Sequence, residues 1–361
     1  MKTPLPYSPS IEHCEKNEAQ TVEGLKHTLH DILDTTSKDY SRVVREVHAK
    51  SCAILSARLQ VLANLPPEDA RGLFVAPATH AALIRISIPP GDDLPDSVLQ
   101  PRGLALKILD VEGAWLAGAE GATTLDFIFV NGPAFTAPTA SKFFGSLKML
   151  AATTDKAERA KSALSAILRG DKATPEAVGG ESATLKVLGG VANLHPFDET
   201  YFSQIPLRFD LYIAKFSMLP VSNMLTRHTN EIIDVHGRRN VIREQIAGGM
   251  QQGIAEWEVQ LLRDADKMPI EDSSKPWPED DSEFMTVARR TAEPPLGWSD
   301  DRAELVDDSM RFTVWIGLAA HQPLGSINRV RKHAYDVAAE FRAEYNGCLF
   351  HEPRTADLPR H

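Results

Sequence analysis

The chain has 361 residues, 43% of them hydrophobic and 24% charged, with a formal net charge of −10. That size and apolar content can build a sizeable core, in one large domain or two ordinary ones. Net acidity without a long basic run argues against a nucleic-acid partner, and three scattered cysteines, Cys14, Cys52 and Cys348, with no Cys-x-x-Cys pair, argue against a zinc site or a disulfide framework.

The first 20 residues are polar and proline-containing and read as an arm without the apolar centre of a secretory signal. No run approaches the roughly 18 apolar residues of a membrane span. The expectation is a cytoplasmic protein of a reducing compartment with no integral membrane segment. From Val22 to about Leu62 the pattern reads as mostly helical: Leu25, Leu29, Ile32 and Leu33 recur at helical spacing, and the apolar run SCAILSARLQVL (51–62) continues it. NLPPEDARGLF (64–74) reads as a turn with a short helix.

The period then changes to two. In ALIRISIPP (82–90), Ala82, Ile84, Ile86 and Ile88 share one face, and Leu83, Arg85 and Ser87 the other. GLALKIL (103–109) and TLDFIFVN (124–131) look like further strands. Helix returns over 140–170, in SKFFGSLKMLAA and KAERAKSALSAILRG, with Gly170 as its C-cap. A second group of strands follows: TLKVLGGV, LRFDLYIAKFSMLP and IAEWEVQLL. DKMPIEDSSKPWPEDDSEFM (266–285) is a long acidic, proline-rich loop around Trp277. GSINRVRKHAYDVAAEFRAEYNG (325–347) is a closing helix with Gly347 past its end. Strands clustered in this way predict an α+β fold, an antiparallel sheet or barrel carrying helices outside it. Without βαβ alternation or a GxGxxG after a strand, a Rossmann domain is disfavoured. Absent GxSxG and HExxH motifs weaken esterase and zinc-protease readings.

Two places suggest chemistry. REVHAKSCA (45–53) sets one histidine between Arg45 and Lys50 at the start of an apolar run; taken alone, such a histidine is more often structural. In the closing helix, Arg331, Tyr335 and Arg342 are spaced by four and seven residues. At about 100° per residue they lie within roughly 40° of one another. Ala338 leaves a shallow place on that stripe, while Ala334, Val337 and Phe341 form an offset arc toward the core. The plain reading is an amphipathic helix with two arginines on its flank. The chemical reading is a tyrosine, ordinarily titrating near 10, ionised by a neighbouring guanidinium and by Fe³⁺. Tyrosinate is a known axial ligand of haem.

Five stretches, in order, resemble the haem catalases. REVHAKSCA resembles their distal Arg-x-x-His-Ala-Lys-Gly run, and LIRISI (83–88) their Arg-x-Ser strand. QPRGLALKILDVEGAW (100–115) resembles a strand pair opening with Asp-x-Arg-Gly. TLDFIFVNGPAF (124–135) resembles the aromatic strand and following phenylalanine, and RKHAYDVAAEFR (331–342) the Arg-x-x-x-Tyr helix with a further arginine. ETYFSQIPLRFDLYIAKFS, VQLLRDADKMPIEDSSKPWPE and HQPLGSINRVRK resemble a smaller, divergent catalase-like branch, the catalase-related peroxidases.

The resemblance implies an antiparallel β-barrel fold with haem b buried between the barrel and the C-terminal helix, in one domain over 21–350 with a tail at 351–361. It implies Tyr335 as iron ligand, Arg331 as its phenolate partner, and His48 as the distal acid–base group oriented by Ser87. Arg45, Arg85 and Arg342 would bind the haem propionates. Phe135 would stand over the distal channel, Val47 would narrow it, and Phe127 would be a pocket aromatic. It also implies a small peroxide substrate and a homo-oligomer, a dimer or tetramer.

This sequence departs from the family's pattern at several points. The distal asparagine that positions peroxide has no counterpart: EGATTLDF places Ala122 or Thr123 there. Ser51 stands where the family has glycine, and Ala339 where it usually has histidine. No nicotinamide site is carried over. The expectation is therefore a haem peroxidase acting on H₂O₂ or organic hydroperoxides, with weak catalase activity. Its alternatives are an allene-oxide-synthase-type rearrangement of fatty-acid hydroperoxides and a non-catalytic haem carrier or sensor. Of the other basic groups, Arg102 reads as a structural turn residue and His195 and His236 as turn histidines. His333 points to solvent, and His321 is a weak rival as axial ligand.

Overall fold

The computed structural model describes residues 2–39, 45, 47–89, 95–97, 101–151, 194–235, 238–249, 253–292, 297–347, 350 and 352–359. The expected helix ending at Gly170, the expected strand TLKVLGGV, His236 and Cys348 lie outside them. Among the described residues, nine strands form one antiparallel sheet. They are β1 (Ser51–Val61), β2 (Thr79–Ser87), β3 (Gly103–Leu109), β4 (Thr124–Val130), β5 (Tyr201–Phe202), β6 (Leu207–Phe209), β7 (Tyr212–Pro220), β8 (Gly253–Leu261) and β9 (Met285–Ala292). Their order is β5-β4-β3-β2-β1-β9-β8-β7-β6, and β5 also pairs with β7. The sheet thus closes on itself with eight strand positions, because β5 and β6 take successive stretches of one β7 edge. Closure leaves the barrel without an open edge to protect.

Residues 51–61 are a strand, which corrects the helical reading of that run. Ala57, Leu59 and Val61 are buried while Arg58 and Gln60 are exposed, a period of two. The first half hides this period because both faces are covered: outside the barrel, Ile54 packs against Ala303, Val306 and Met310. Apolar content alone does not separate a doubly buried strand from a buried helix. Nor was MTVARRTA anticipated as a strand, yet as β9 it joins β1 to β8.

The helical reading holds for α1 (Glu18–Asp39), where Leu25, Leu29, Ile32 and Leu33 are all buried. α2 (Ala140–Ala151) follows β4. The short α3 (Asn223–Thr226), α4 (Val241–Gly249) and α5 (Asp300–Ala303) come later, α5 running into a π-turn at Glu304–Asp308. α6 (Ser326–Asn346) ends at Gly347, whose φ of 62° is the left-handed cap that favours glycine. α1, α2 and α6 pack together outside the barrel through Leu25, Leu29, Leu147, Ile327 and Val330, with Ala334 against them; Phe341 packs on Leu33 and Ala338.

The barrel interior is aromatic. Phe127, Phe129, Phe216 and Trp257 meet Phe74 and Phe209, the Phe127 and Trp257 rings lying edge to face at 4.7 Å. Each such pair adds roughly 0.5–1.5 kcal/mol to the burial of its area. The acidic loop is pinned to the outer face by Leu262, Met268, Ile270 and Trp277, with Leu5, Tyr7 and Ile11 of the N-terminal residues packed on the same cluster. No helix among the described residues is long and apolar enough to cross a membrane.

Candidate active site

A cavity opens where one rim of the barrel meets α6. Arg45, Val47, His48 and the ends of β2, β3 and β4 form its barrel wall, and α6 with residues 311–313 forms the other; about 700 Å³ is empty, its mouth included. Of the residues singled out in the sequence, Arg45, Val47, His48, Arg85, Ser87, Tyr335 and Arg342 all line it. They come from opposite ends of the chain.

His48 is held in an unusual conformation. Its φ is 57°, a left-handed value that is uncommon outside glycine and costs of order 1–3 kcal/mol. Backbone bonds fix it there: His48 N–H donates to the Pro89 carbonyl at 2.8 Å, and Arg85 Nη2 donates to the His48 carbonyl at 2.7 Å. The turn aims Nδ1 at the Ser87 hydroxyl, 3.1 Å away. The β1–β2 ladder shifts register between Ser51 and Ala53, the kind of bulge that re-aims a side chain at a sheet rim.

Gly103 pairs with Ser87 across the next ladder. A Cβ on Gly103 would lie 2.3 Å from His48 Cε1 and 2.7 Å from Nδ1, so the imidazole rests directly on that glycine. One ring edge faces the cavity and the rest is enclosed. Burial first, then the charges of Arg85, Arg331 and Arg45, push its pKa down to about 3. The ring is neutral at neutral pH, and with Nδ1 engaged by Ser87 its Nε2 is the nitrogen left to exchange a proton. Lys50 anchors the segment behind it, donating to Asp96 at 2.8 Å and to the Arg239 carbonyl at 2.6 Å.

Arg45, Arg85 and Arg342 gather at one edge of the cavity. Arg45 and Arg342 both donate to the Met310 carbonyl, at 2.7 and 3.2 Å. Between Arg45 and Arg85 sits Asp307, a residue the sequence did not single out. Its carboxylate pairs with Arg85 Nε, lies 4.0 Å from Arg45 Nε, and accepts from the Ser51 hydroxyl at 2.6 Å. Burial raises the Asp307 pKa, but the two guanidiniums and the hydroxyl lower it further, below the ordinary carboxylate range. Among the described residues, Asp307 is the carboxylate that ties Arg85 and Arg45 together at this edge.

On the α6 wall, Tyr335 is half-buried and faces the cavity with Ala338, Ala339 and Arg342, so one helix supplies both a phenol and a guanidinium. Arg331 is not in the wall. Its guanidinium donates to Asn328 Oδ1 at 3.4 Å and lies 5.3 Å from the Phe135 ring. Phe135 packs among the α1–α2–α6 contacts against Phe143 rather than over the cavity. Phe127 is also displaced from its expected place. Alternation along β4 turns both Phe127 and Phe129 into the barrel core; Ile128 on the other face and Phe129, nearer the end of the strand, reach the cavity while Phe127 does not. Neither Ala122 nor Thr123 lines the cavity, and no asparagine does among the described residues.

Arg102 is structural, as expected: it is buried with Nη1 2.5 Å from Glu199. His321 does not line the cavity. Its ring lies in the aromatic barrel core and its Nε2 accepts from Leu73 N–H at 2.9 Å, while burial lowers its pKa to about 4. His195 is buried, stacked on His228 at 3.8 Å, and His333 is exposed. The sequence did not single out Gly103, Phe129 and Arg311 as cavity residues, nor Asp307 beside them; Gly103 and Phe129 lay within quoted motifs.

Among the described residues, no group of three or more His, Cys, Asp or Glu side chains is placed to hold a metal ion. The donors that are present are one phenol, one neutral imidazole on the other wall and a cationic edge. This set suits a metal carried in an anionic macrocycle with a single protein ligand.

No family model and no curated protein matches this sequence. Solved structures do share its architecture. A fungal catalase superposes with a TM-score of 0.55 at 15% identity, over 87% of this chain and 62% of its own. Catalase A from Saccharomyces cerevisiae gives 0.57 at 15% identity, over 91% and 69%. The fold is therefore the catalase-like one, a closed eight-strand antiparallel barrel with helices around it. The likeness is one of fold, and the chain spans 62% of the length of the fungal catalase.

Proposed function

We propose that this chain is a haem b enzyme that processes hydroperoxides, as a peroxidase on H₂O₂ or organic hydroperoxides. The observation that carries the proposal is the single cavity shared by the His48–Ser87 pair and Tyr335, with Arg45, Arg85 and Arg342 at its edge. Tyr335 would bind the iron and the three arginines the propionates, with Asp307 balancing part of their charge. When bound, the haem supplies the electrons that cleave the O–O bond.

The chain's own residues handle the protons. Neutral His48 takes the hydroperoxide proton at Nε2 and returns it to the departing oxygen, which leaves as water or an alcohol. Ser87 and the imidazole's seat on Gly103 keep Nε2 aimed through both transfers. Val47 and Phe129 narrow the approach. Among the described residues no asparagine stands in the wall to orient a second peroxide, which favours peroxidase turnover over disproportionation. Rearrangement of a fatty-acid hydroperoxide needs no external reductant, so comparing products with and without an added reductant separates it from peroxidase turnover.

The test is haemin reconstitution followed by optical spectroscopy. A high-spin ferric spectrum of tyrosinate type, lost in Tyr335→Phe, is expected, and His48→Ala should abolish peroxide turnover while keeping the Soret band. Absence of a Soret band in the wild type overturns the proposal.

A further inference from the structure

At one end of the barrel lies a second cavity, about 520 Å³ with its open mouth included, walled by apolar residues such as Leu55, Ile86, Leu104, Met218 and Ala255. Among the described residues one cation points into it. Arg290 alternates inward on β9 between Ala288 and Ala292 and is only 8% exposed. Its Nε and Nη1 atoms are buried with no hydrogen-bond partner among the described residues.

The carboxylate in the same wall is already committed. Glu199 is bound by Arg102 at 2.5 Å, by Asn131 at 2.6 Å and by the Tyr201 hydroxyl at 3.2 Å. Burial lowers the Arg290 pKa to about 10, so it remains a cation at neutral pH. A desolvated guanidinium without a counter-charge is costly, and a planar carboxylate is the anion whose geometry matches its fork.

We propose that the barrel interior binds a carboxylic acid with an apolar chain, its carboxylate held by Arg290 and its chain lying across the barrel toward Leu104. β9 and β3 are separated by β1 and β2 in the ring of eight strand positions, so Arg290 and Leu104 stand nearly opposite each other. The walls between them are apolar, and Phe197, Met224 and Leu225 at one end are apolar as well. Leu104 also lines the His48 cavity. An acid seated here thus brings its far end against the wall of the candidate active site and marks amphipathic acids as a substrate or effector class. That last step rests on the proposed function; the binding itself does not.

The experiment uses the full chain without haem, with decanoate, 1-decanol and acetate as probes, read by calorimetry and thermal melting. Decanoate is expected to bind at least tenfold more tightly than decanol or acetate and to raise the melting temperature. Arg290→Met should lose that preference and, ligand-free, melt above the wild type, because a lone buried charge has been replaced by an apolar side chain. Arg290→Lys should keep part of the preference. The proposal is overturned if decanoate binds no better than decanol or acetate, or if Arg290→Met binds decanoate as the wild type does. A ligand-free Arg290→Met protein that melts lower, or does not fold, also overturns it, since the guanidinium then has a structural partner. Decanoate binding retained in Tyr335→Phe separates this site from haem binding, so failure of one leaves the other standing.

Discussion

Gly103→Ala is the sharpest probe of how His48 is held. The added methyl would meet His48 Cε1 at 2.3 Å, where ordinary contact begins at 3.4 Å, so the ring must retreat by about 1 Å. It has little freedom to do so smoothly, because its backbone is locked at φ 57° and its Nδ1 is bonded to Ser87. The retreat therefore breaks that bond, worth about 1 kcal/mol net, and moves Nε2 off the line to the reacting oxygen. A displacement of about 1 Å at a reacting group can cost roughly 100-fold in rate. The strand should tolerate the change, since Ala in place of Gly within a strand is favourable by roughly 0.5–1 kcal/mol. Expected, then, is a protein that folds and takes up haemin as the wild type does, with kcat/KM for peroxide down by about 100-fold. Gly145→Ala, on the exposed face of α2 with nothing within 4 Å of the new Cβ, is the control that should leave turnover alone. Turnover in Gly103→Ala within threefold of wild type would refute the claim that this imidazole does the proton work.

The pH dependence follows from the same enclosure. With the His48 pKa lowered to about 3, the ring is neutral and able to accept a proton throughout pH 5–8. The kcat/KM profile should lack an acid limb near the ordinary histidine value of about 6.5 and fall only below about pH 4; a limb at 6–7 would show a solvated, titrating ring. Asp307→Asn removes a carboxylate that sits between Arg45 and Arg85. Breaking such a buried pair costs roughly 3–5 kcal/mol, so the haem-free variant should melt well below wild type. Haemin should then stabilise it more than it stabilises the wild type, because propionates would replace the lost charge. Equal haemin stabilisation of both proteins would place the propionates elsewhere.

The sequence was most legible where polar and apolar residues alternate along an element. In β2 the alternation of Ile84 and Ile86 with Arg85 and Ser87, and in α6 a period of about 3.6, set the cavity-facing residues, Arg85 and Ser87, then Tyr335 and Arg342, in register. It was least legible where both faces carry apolar residues or where polar groups point inward. The run 51–61 lost its period because helices and C-terminal residues cover the outer face of β1. β9 carries two adjacent arginines that a pattern of apolar alternation does not pick out, and of the two only Arg289 is exposed. The same inversion hid the charge inside the barrel. Phe127 was misplaced by one strand alternation relative to Ile128, and Arg331 and Phe135 pair with each other beside the cavity instead of lining it. Motif spacing fixes neighbours along one element but not which of two aromatics on one strand face stands at the level of the cavity.

Ser51 shows how a departure from a motif can report a change elsewhere. Where the catalase pattern has glycine, this chain has a hydroxyl that donates to Asp307 at 2.6 Å and accepts from Trp298 Nε1 at 2.8 Å. Asp307 in turn holds Arg85, and Arg85 holds the His48 carbonyl. A glycine could not support that chain of bonds, and an aspartate at 307 without a donor at 51 would be a buried anion lacking one of its partners. The two residues are thus one device. It links the cationic edge of the cavity, through a single arginine, to the strained backbone that aims the imidazole, so a change in charge at that edge is felt at His48.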